Sequence, residues 1–310
     1  MITIYKSTEK GLELIPEFID GCWINLVDPT PQEIAQVTDL GIPQDFLTYP
    51  LDVDERPRTE REDDGKILIV IKVPKYLGPA VDVPYVTIPL GFVITDKVLV
   101  TVCRHSHEII EEFASGRARG LSTGKRNRFI LKVMIATANK YLAYLRDINR
   151  TVDLLEDKTQ SAMRNKEVLD LLKFQKSLVY FTTALKSNEL VFERLHRAQL
   201  FKMYPDDEDL LEDVITENQQ AIEMVNISNN ILSSMMDAFA SIISNNLNVV
   251  MKFLASVTIV MSIPTIITSF FGMNVNLPFS NLNYSYLIVI AISVGLGALV
   301  TLIFMKRDWF

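Results

Sequence analysis

Between Lys252 and Lys306 the chain carries no Asp, Glu, Lys, Arg or His. An absence that long excludes a water-facing surface for this stretch, because solvated segments are laced with charge. Cysteine is nearly missing too. Cys22 and Cys103 stand far apart and in no C-x-x-C pattern, which excludes a disulfide framework and suits a reducing compartment. No Gly-rich phosphate loop and no G-x-S-x-G elbow occurs. Nucleotide hydrolysis and serine-hydrolase chemistry therefore have no motif to rest on, and neither a nucleotide nor an organic cofactor is expected. Basic excess is absent as well: 31 Lys and Arg face 38 Asp and Glu, a formal charge of −7. That argues against a nucleic-acid partner and suits a protein that gathers cations. The start, Met1-Ile2-Thr3-Ile4-Tyr5, lacks the basic residues and apolar run of a signal peptide.

What is present divides along the chain. Residues 1–120 read as a cytosolic α/β subdomain. Cys22 to Val27, Ile67 to Val73, Tyr85 to Thr95 and Val98 to Val102 are strand-like, with turn residues at Asp63-Asp64-Gly65 and Asp96-Lys97. Thr30-Pro31-Gln32-Glu33 starts a helix that Gly41 and Pro43 stop. Residues 121–206 read as a pair of long antiparallel helices. Phe129, Val133, Tyr141, Tyr144, Leu145, Ile148, Val152 and Leu155 recur at helical spacing in the first, and Leu169, Leu172, Leu178, Phe181, Leu185 and Val191 in the second. Tyr204-Pro205-Asp206-Asp207 breaks the second and caps a third, which meets no proline before Pro264 and no glycine before Gly272. At 1.5 Å per residue a helix from Asp207 to Phe271 is on the order of 95 Å long, more than any bilayer. Its part at 207–252 is therefore expected to be a cytosolic stalk.

Two stretches are apolar enough to span, 253–271 and 286–305, each near the roughly 20 residues required. Residues 272–285 form an uncharged loop between them, and 306–310 a basic tail. Lys252 flanks one span and Lys306 and Arg307 the other. The positive-inside rule then puts both termini in the cytoplasm of a cell inner or plasma membrane and the loop outside. Tyr284, Tyr286 and Trp309 suit interfacial anchoring.

One face of the third helix has its own pattern. Steps of four and three give Asp237, Ser241, Ser244, Asn248, Met251, Ala255, Thr258, Ser262, Thr265 and Ser269. Nearly all are small or polar. Off this stripe stand Phe253, Leu254, Val257, Ile259, Val260, Ile263, Ile266, Ile267 and Phe270, which suit lipid or a partner helix. A seven-residue repeat keeps one face on the axis of a left-handed bundle. In lipid a polar face must turn toward protein or water. Small residues also mediate tight helix packing in membranes, but a register unbroken from Asp237 to Ser269 points to a pore. Two spans cannot enclose one, so several copies are expected round one axis. Hydroxyls and amides can hydrogen-bond the shell of a hydrated cation without stripping it, which fits magnesium's reluctance to lose water.

Gly272-Met273-Asn274 closes the penultimate span. With Asn248-Val-Val-Met251-Lys252 at the membrane boundary, Pro264-Thr265 within it and Lys306-Arg-Asp-Trp309-Phe at the end, it resembles the CorA family of magnesium channels. Trp23-Ile-Asn-Leu-Val-Asp-Pro and Asp54-Glu-Arg-Pro57-Arg-Thr-Glu60 extend the resemblance over the whole chain. It implies a funnel-shaped homopentamer whose third helix lines the pore. It also implies a selectivity ring at Gly272, Met273 and Asn274, with Asn274 holding the hydrated ion. Asn248, Met251, Thr265 and Asp237 fall where the family lines its path. In the family, magnesium between neighbouring cytosolic domains holds the channel closed, so the ion is both transported and regulatory. Asp213 falls at a carboxylate of that sensor, and Asp82 is taken as its partner. The outer loop departs from some relatives in lacking carboxylates, which leaves capture to Asn274, Asn276, Asn281 and Asn283.

Other clusters have plainer readings. His105-Ser-His107 has no cysteine beside it and reads as a loop pair rather than a zinc site. Asp206 to Asp209 reads as the acidic first turn of a helix. Arg117, Arg119, Lys125, Arg126 and Arg128 could meet acidic lipids or the acidic helices, with a solvated loop as the default. Rival functions are a proton-coupled zinc transporter of the same superfamily and a membrane-anchored cytosolic binding module without flux. Cobalt or nickel are possible additional cargo of the magnesium reading. None of these readings is an enzyme.

Overall fold

The computed structural model describes residues 1–9, 11–117, 121–159, 165–198, 205–275, 284–307 and 309. Its chain falls into two units, Met1–Ser233 and Ser234–Phe310. The first unit holds a single seven-stranded sheet. Its strands are β1 (Ile2–Thr8), β2 (Gly11–Leu14), β3 (Trp23–Val27), β4 (Arg58–Arg61), β5 (Ile67–Tyr76), β6 (Tyr85–Ile94) and β7 (Leu99–Cys103), in the order β2-β1-β3-β7-β6-β5-β4. The central pair β3–β7 is parallel and the other neighbours are antiparallel. The four apolar runs marked as strands in the sequence are β3, β5, β6 and β7. The other three strands are short or rich in polar residues and carry no such run.

Alternate residues of a strand face opposite sides of the sheet. Ile67, Ile69, Ile71 and Val73 of β5 join Leu90 and Phe92 of β6 in a core with Phe113, Phe129, Val191 and Leu211. Leu68 and Val70 point the other way, toward Val93, Val100, Phe46 and Leu47. Burial on both faces is why these strands read as continuous apolar runs rather than alternating ones. The second face is covered by α1 (Pro31–Thr38) and α2 (Gln44–Thr48), followed by a 3-10 turn at Tyr49–Leu51. Thr30 and Glu33 form a reciprocal capping box on α1, as their spacing predicts. The turn lies so close to β6 that a Cβ at Gly91 would stand 2.2 Å from Pro50 Cγ.

A proline in a central strand cannot donate to the ladder. Pro89 of β6 stands opposite Lys72 of β5, and Lys72 directs its peptide groups elsewhere. Its N–H donates to Asn188 Oδ1 and its carbonyl accepts from Asn188 Nδ2, both at 2.8 Å. The Tyr141 hydroxyl donates to the same carbonyl at 3.0 Å. β4 ends opposite Val70, so the fully buried Asn188 side chain continues the ladder where that strand has stopped.

The first face is covered by α3 (Glu108–Ala114), α4 (Arg126–Thr159), α5 (Asn165–Ala198) and the start of α6 (Pro205–Phe271). α4 and α5 are antiparallel. Tyr141 meets Phe181 edge-on with centroids 5.0 Å apart, and farther along Leu155 and Phe174 line one cavity. α6 opens with Pro205 at its first position, where the missing N–H has no helical partner to lose. Asn218 and Asn229 of α6 donate to the Leu185 carbonyl and the Thr182 hydroxyl of α5 at 3.2 and 3.1 Å.

Two local readings of the sequence need correction. For Arg128 the contact with an acidic helix holds and the solvated loop does not: it lies on α4 and pairs with Asp207 at 2.6 Å and Asp206 at 3.1 Å. Arg126 likewise donates to the Asp96 carbonyl at 2.6 Å. The acidic first turn of α6 thus ties two helices together as well as meeting its own dipole. Arg119 lies outside the described residues. His107 is the N-cap of α3 rather than a loop residue.

The second unit contains the rest of α6, including the internal Pro264, and α7 (Ser285–Lys306). α6 and α7 are the two described helices long and apolar enough to cross a membrane.

Candidate functional site

The second unit sorts the residues of α6 by face. All ten stripe positions, from Asp237 through Asn248 and Thr258 to Ser269, are exposed. Ser256 is fully buried, and Val260, Ile263, Ile267 and Phe271 are half-covered. At about 100° per residue the covered set lies roughly 160° round the helix from the stripe's membrane portion. α7 has a covered side of its own, running through Val289, Ser293, Gly297, Thr301 and Phe304. Ser256, Ser293, Gly297 and Thr301 were not singled out in the sequence. Their small size at helical spacing was the available signal. From Ala255 to Ser269 the polar stripe is therefore on the side that the rest of this unit leaves uncovered, while from 240 to 255 every residue of α6 is exposed. Phe253, Leu254, Val257, Ile259, Ile266 and Phe270 are exposed elsewhere on the helix, as suits lipid.

The hydroxyls on the stripe have defined roles. Ser241, Thr258, Ser262 and Thr265 each donate to the carbonyl four residues earlier, at 3.0, 2.8, 2.7 and 3.4 Å. Such back-bonding uses the proton and leaves oxygen lone pairs outward. Asn248 adds an amide and Asp237 a carboxylate to the same face. Thr268, off the stripe, donates to Pro264 and Thr265 carbonyls at 2.9 and 3.2 Å. The carbonyl that Pro264 leaves without its helical N–H is that of Val260, one turn earlier.

α6 ends at Phe271. The Gly272 N–H still donates to the Thr268 carbonyl at 2.9 Å, and Met273 N–H to Phe270 at 3.4 Å. A Cβ at position 272 would sit 3.2 Å from the Thr268 carbonyl oxygen, closer than side chains usually approach. Glycine thus lets the helix finish tightly and hand over to Met273 and Asn274, both exposed. Asn276, Asn281 and Asn283 lie outside the described residues.

The two proposed sensor carboxylates are on the first unit. Asp213 is exposed on α6. Asp82, in the loop between β5 and β6, is 74% exposed at its side chain and pairs with Lys176 of α5 at 2.6 Å. Lys176 holds its carboxyl below the usual carboxylate range. No described contact brings Asp82 and Asp213 together. Among the described residues no group of three or more His, Cys, Asp and Glu side chains is arranged to hold a metal ion.

His107 uses both ring nitrogens within the fold. Nδ1 accepts from the Ile109 N–H at 3.1 Å, and Nε2 faces the Pro74 carbonyl at 2.6 Å, which fixes the neutral ring with its proton on Nε2. Zinc has no lone pair to bind there.

Comparisons with known proteins cover the same length of chain. The family model described as CorA-like Mg2+ transporter protein matches residues 20–307. The cobalt/magnesium transport protein CorA of Methanocaldococcus jannaschii is 28% identical over 93% of this chain and 90% of its own. That of Thermotoga maritima is 22% identical over 98% and 88%. The complete structure of the M. jannaschii CorA magnesium transporter superposes with a TM-score of 0.85 at 25% identity, covering 100% of this chain and 99% of the other. A transport protein rather than an enzyme, with two apolar helices after an α/β unit and long helices, the chain belongs to the CorA-like Mg2+ transporter protein family.

Proposed function

We propose that the chain passes magnesium into the cell down its electrochemical gradient, along a path lined by the polar stripe of α6 from Asp237 to Ser269. The observation that carries this reading is the stripe itself, exposed at every position and, from Ala255 to Ser269, turned from the covered side of its own unit. Five copies with these faces on one axis, as the family resemblance implies, would make a continuous column of hydroxyls, amides and one carboxylate ring. The Gly272-Met273-Asn274 turn forms the outer ring, where the Asn274 amide meets an ion that keeps its water. Lone pairs left outward by the back-bonded hydroxyls suit that water, because the shell of a cation presents its hydrogens. The membrane potential favours entry of a divalent ion by roughly 4.6 kcal/mol at 100 mV, so no nucleotide is required. Both termini lie in the cytoplasm, and the membrane is the cell's inner or plasma membrane. Cobalt, which two relatives carry in their names beside magnesium, is a second cargo. Cytosolic magnesium closes the path through Asp213; Asp82 serves as its partner if a neighbouring copy displaces Lys176.

Flux into liposomes tests the reading directly, with magnesium, cobalt and zinc in competition. Magnesium uptake that Asn274→Ala abolishes or strips of selectivity supports it. Uptake unchanged in that variant removes the outer ring from the mechanism, and no uptake by the native chain removes the channel.

A further inference from the structure

Among the described residues three tyrosines are buried, Tyr85, Tyr141 and Tyr144. The Tyr141 hydroxyl donates to the Lys72 carbonyl at 3.0 Å, and that of Tyr144 to Glu108 Oε1 at 3.1 Å. The Tyr85 hydroxyl has no hydrogen-bond partner among the described residues. Tyr85 is 7% exposed, and the surface it leaves open lines a cavity of about 290 Å³ between α4, α5 and the β5–β6 hairpin. Its ring is held in place. The Tyr85 N–H donates to Ser177 Oγ of α5 at 3.3 Å. Tyr76, Tyr144 and Phe181 surround the ring with centroids 4.8, 5.1 and 6.0 Å away. Burial first, and then the Asp147 carboxylate, raises the hydroxyl pKa to about 12, so the group keeps its proton as a donor. A buried donor without an acceptor is uncommon in a fold, where nearly every such group is paired.

Around that donor the walls are aromatic and without net charge. Tyr76 stands opposite Tyr85 at the end of the β5–β6 ladder, and Pro84, Leu155 and Phe174 line the same space. Asp170 and Lys173, also on the wall, pair with each other at 3.0 Å. A ligand of either net charge would meet the opposing member of that pair beside the one it sought, whereas a neutral ligand meets no such conflict. We propose that this cavity binds a small neutral heteroaromatic molecule, packed against the Tyr76 and Phe174 rings and accepting a hydrogen bond from the Tyr85 hydroxyl. At about 290 Å³ the cavity is at the small end of ligand sites, which limits the occupant to roughly two fused rings. Ring walls supply contact area, and the single polar group supplies specificity: a hydrocarbon of the same shape fits but leaves the donor unpaired. The site lies wholly within the first unit and is independent of the path proposed for α6.

Quinoline and naphthalene have the same two-ring shape, and only quinoline carries an acceptor. Each is radiolabelled and dialysed to equilibrium against the full chain in detergent micelles. Partition into micelles does not saturate, so the saturable part reports the cavity. The native chain should bind about one quinoline per chain saturably, and roughly fivefold more tightly than naphthalene. Leu155→Trp, which fills the cavity, should abolish saturable binding of both. Tyr85→Phe keeps the ring and removes the donor. It should weaken quinoline roughly fivefold, leave naphthalene unchanged and leave the urea midpoint of the free chain no lower than native. No saturable quinoline binding by the native chain overturns the proposal. So does equal weakening of both probes by Tyr85→Phe, or a lowered midpoint, which would give the hydroxyl a partner within the fold. Tighter binding of N-methylquinolinium, a permanent cation on the same rings, would overturn the assignment to a neutral ligand.

Discussion

Asn188 shows what a single side chain does across a long stretch of sequence. Its amide gives the Lys72 peptide both of its hydrogen bonds, across 116 residues. Nothing near position 188 announces this, because the need arises from where β4 ends. The Thr30–Glu33 box, by contrast, lies within one helical turn and could be read from spacing alone. Asn188→Ala should leave a buried N–H without its partner and weaken the carbonyl's bonding. A loss of about 2–4 kcal/mol is expected, read as a lower urea midpoint for the full chain in detergent. A stability within about 0.5 kcal/mol of the native value would mean water replaces the amide. Gly272-Met273-Asn274 was legible as a pattern, but its chemistry as a ring needs neighbouring copies and no single chain displays it.

At the scale of the element, α3 carries a pH dependence. Burial, first among the causes, pushes the His107 pKa below its ordinary value of 6.5. The unfolded chain therefore binds more protons between the two values, and stability rises with pH through that window. The contribution is complete above about pH 6.5 and drains away as pH falls toward the folded-state value. Unfolding midpoints measured from about pH 7.5 down to 5 should fall. His107→Asn, which can still cap Ile109 but cannot titrate, should flatten that fall. An equally steep profile in the variant would assign it to other groups. Among elements, the strands buried on both faces and the long helices were legible, because burial and amphipathic period both leave a hydrophobic trace. β1 alternates apolar with polar residues, Ile2-Thr3-Ile4-Tyr5-Lys6, and β4 is Arg-Thr-Glu-Arg. Such strands are held by backbone pairing to their neighbours, which composition does not record.

For the whole molecule the decisive question is assembly, since one chain cannot enclose the stripe. The two native cysteines are buried, and burial raises both thiols, Cys103 to about 12. They should stay silent to mild oxidants at neutral pH. An introduced thiol can therefore report alone. Ser262→Cys, on the stripe, should cross-link copy to copy in native membranes, whereas Val260→Cys, on the covered side, should not. Equal cross-linking of both would take the stripe off the axis. If cytosolic magnesium closes the assembly through Asp213, Asp213→Asn should keep uptake high at internal magnesium concentrations that shut the native protein. Identical closure would return Asp213 to being a solvated helix carboxylate.

The back-bonded hydroxyls have one more consequence for the proposed path. With their protons held by carbonyls four residues earlier, Ser241, Thr258, Ser262 and Thr265 would meet the proposed lumen as acceptors. Water touching such a wall turns its hydrogens outward and its oxygen toward the centre. That orientation is the one a cation imposes and the reverse of the one a chloride needs. The wall can thus discriminate the sign of an ion through the dipoles of its own solvent, without a formal charge anywhere in the membrane. Substituting the hydroxyls together by alanine should erode the exclusion of chloride before it erodes the passage of magnesium.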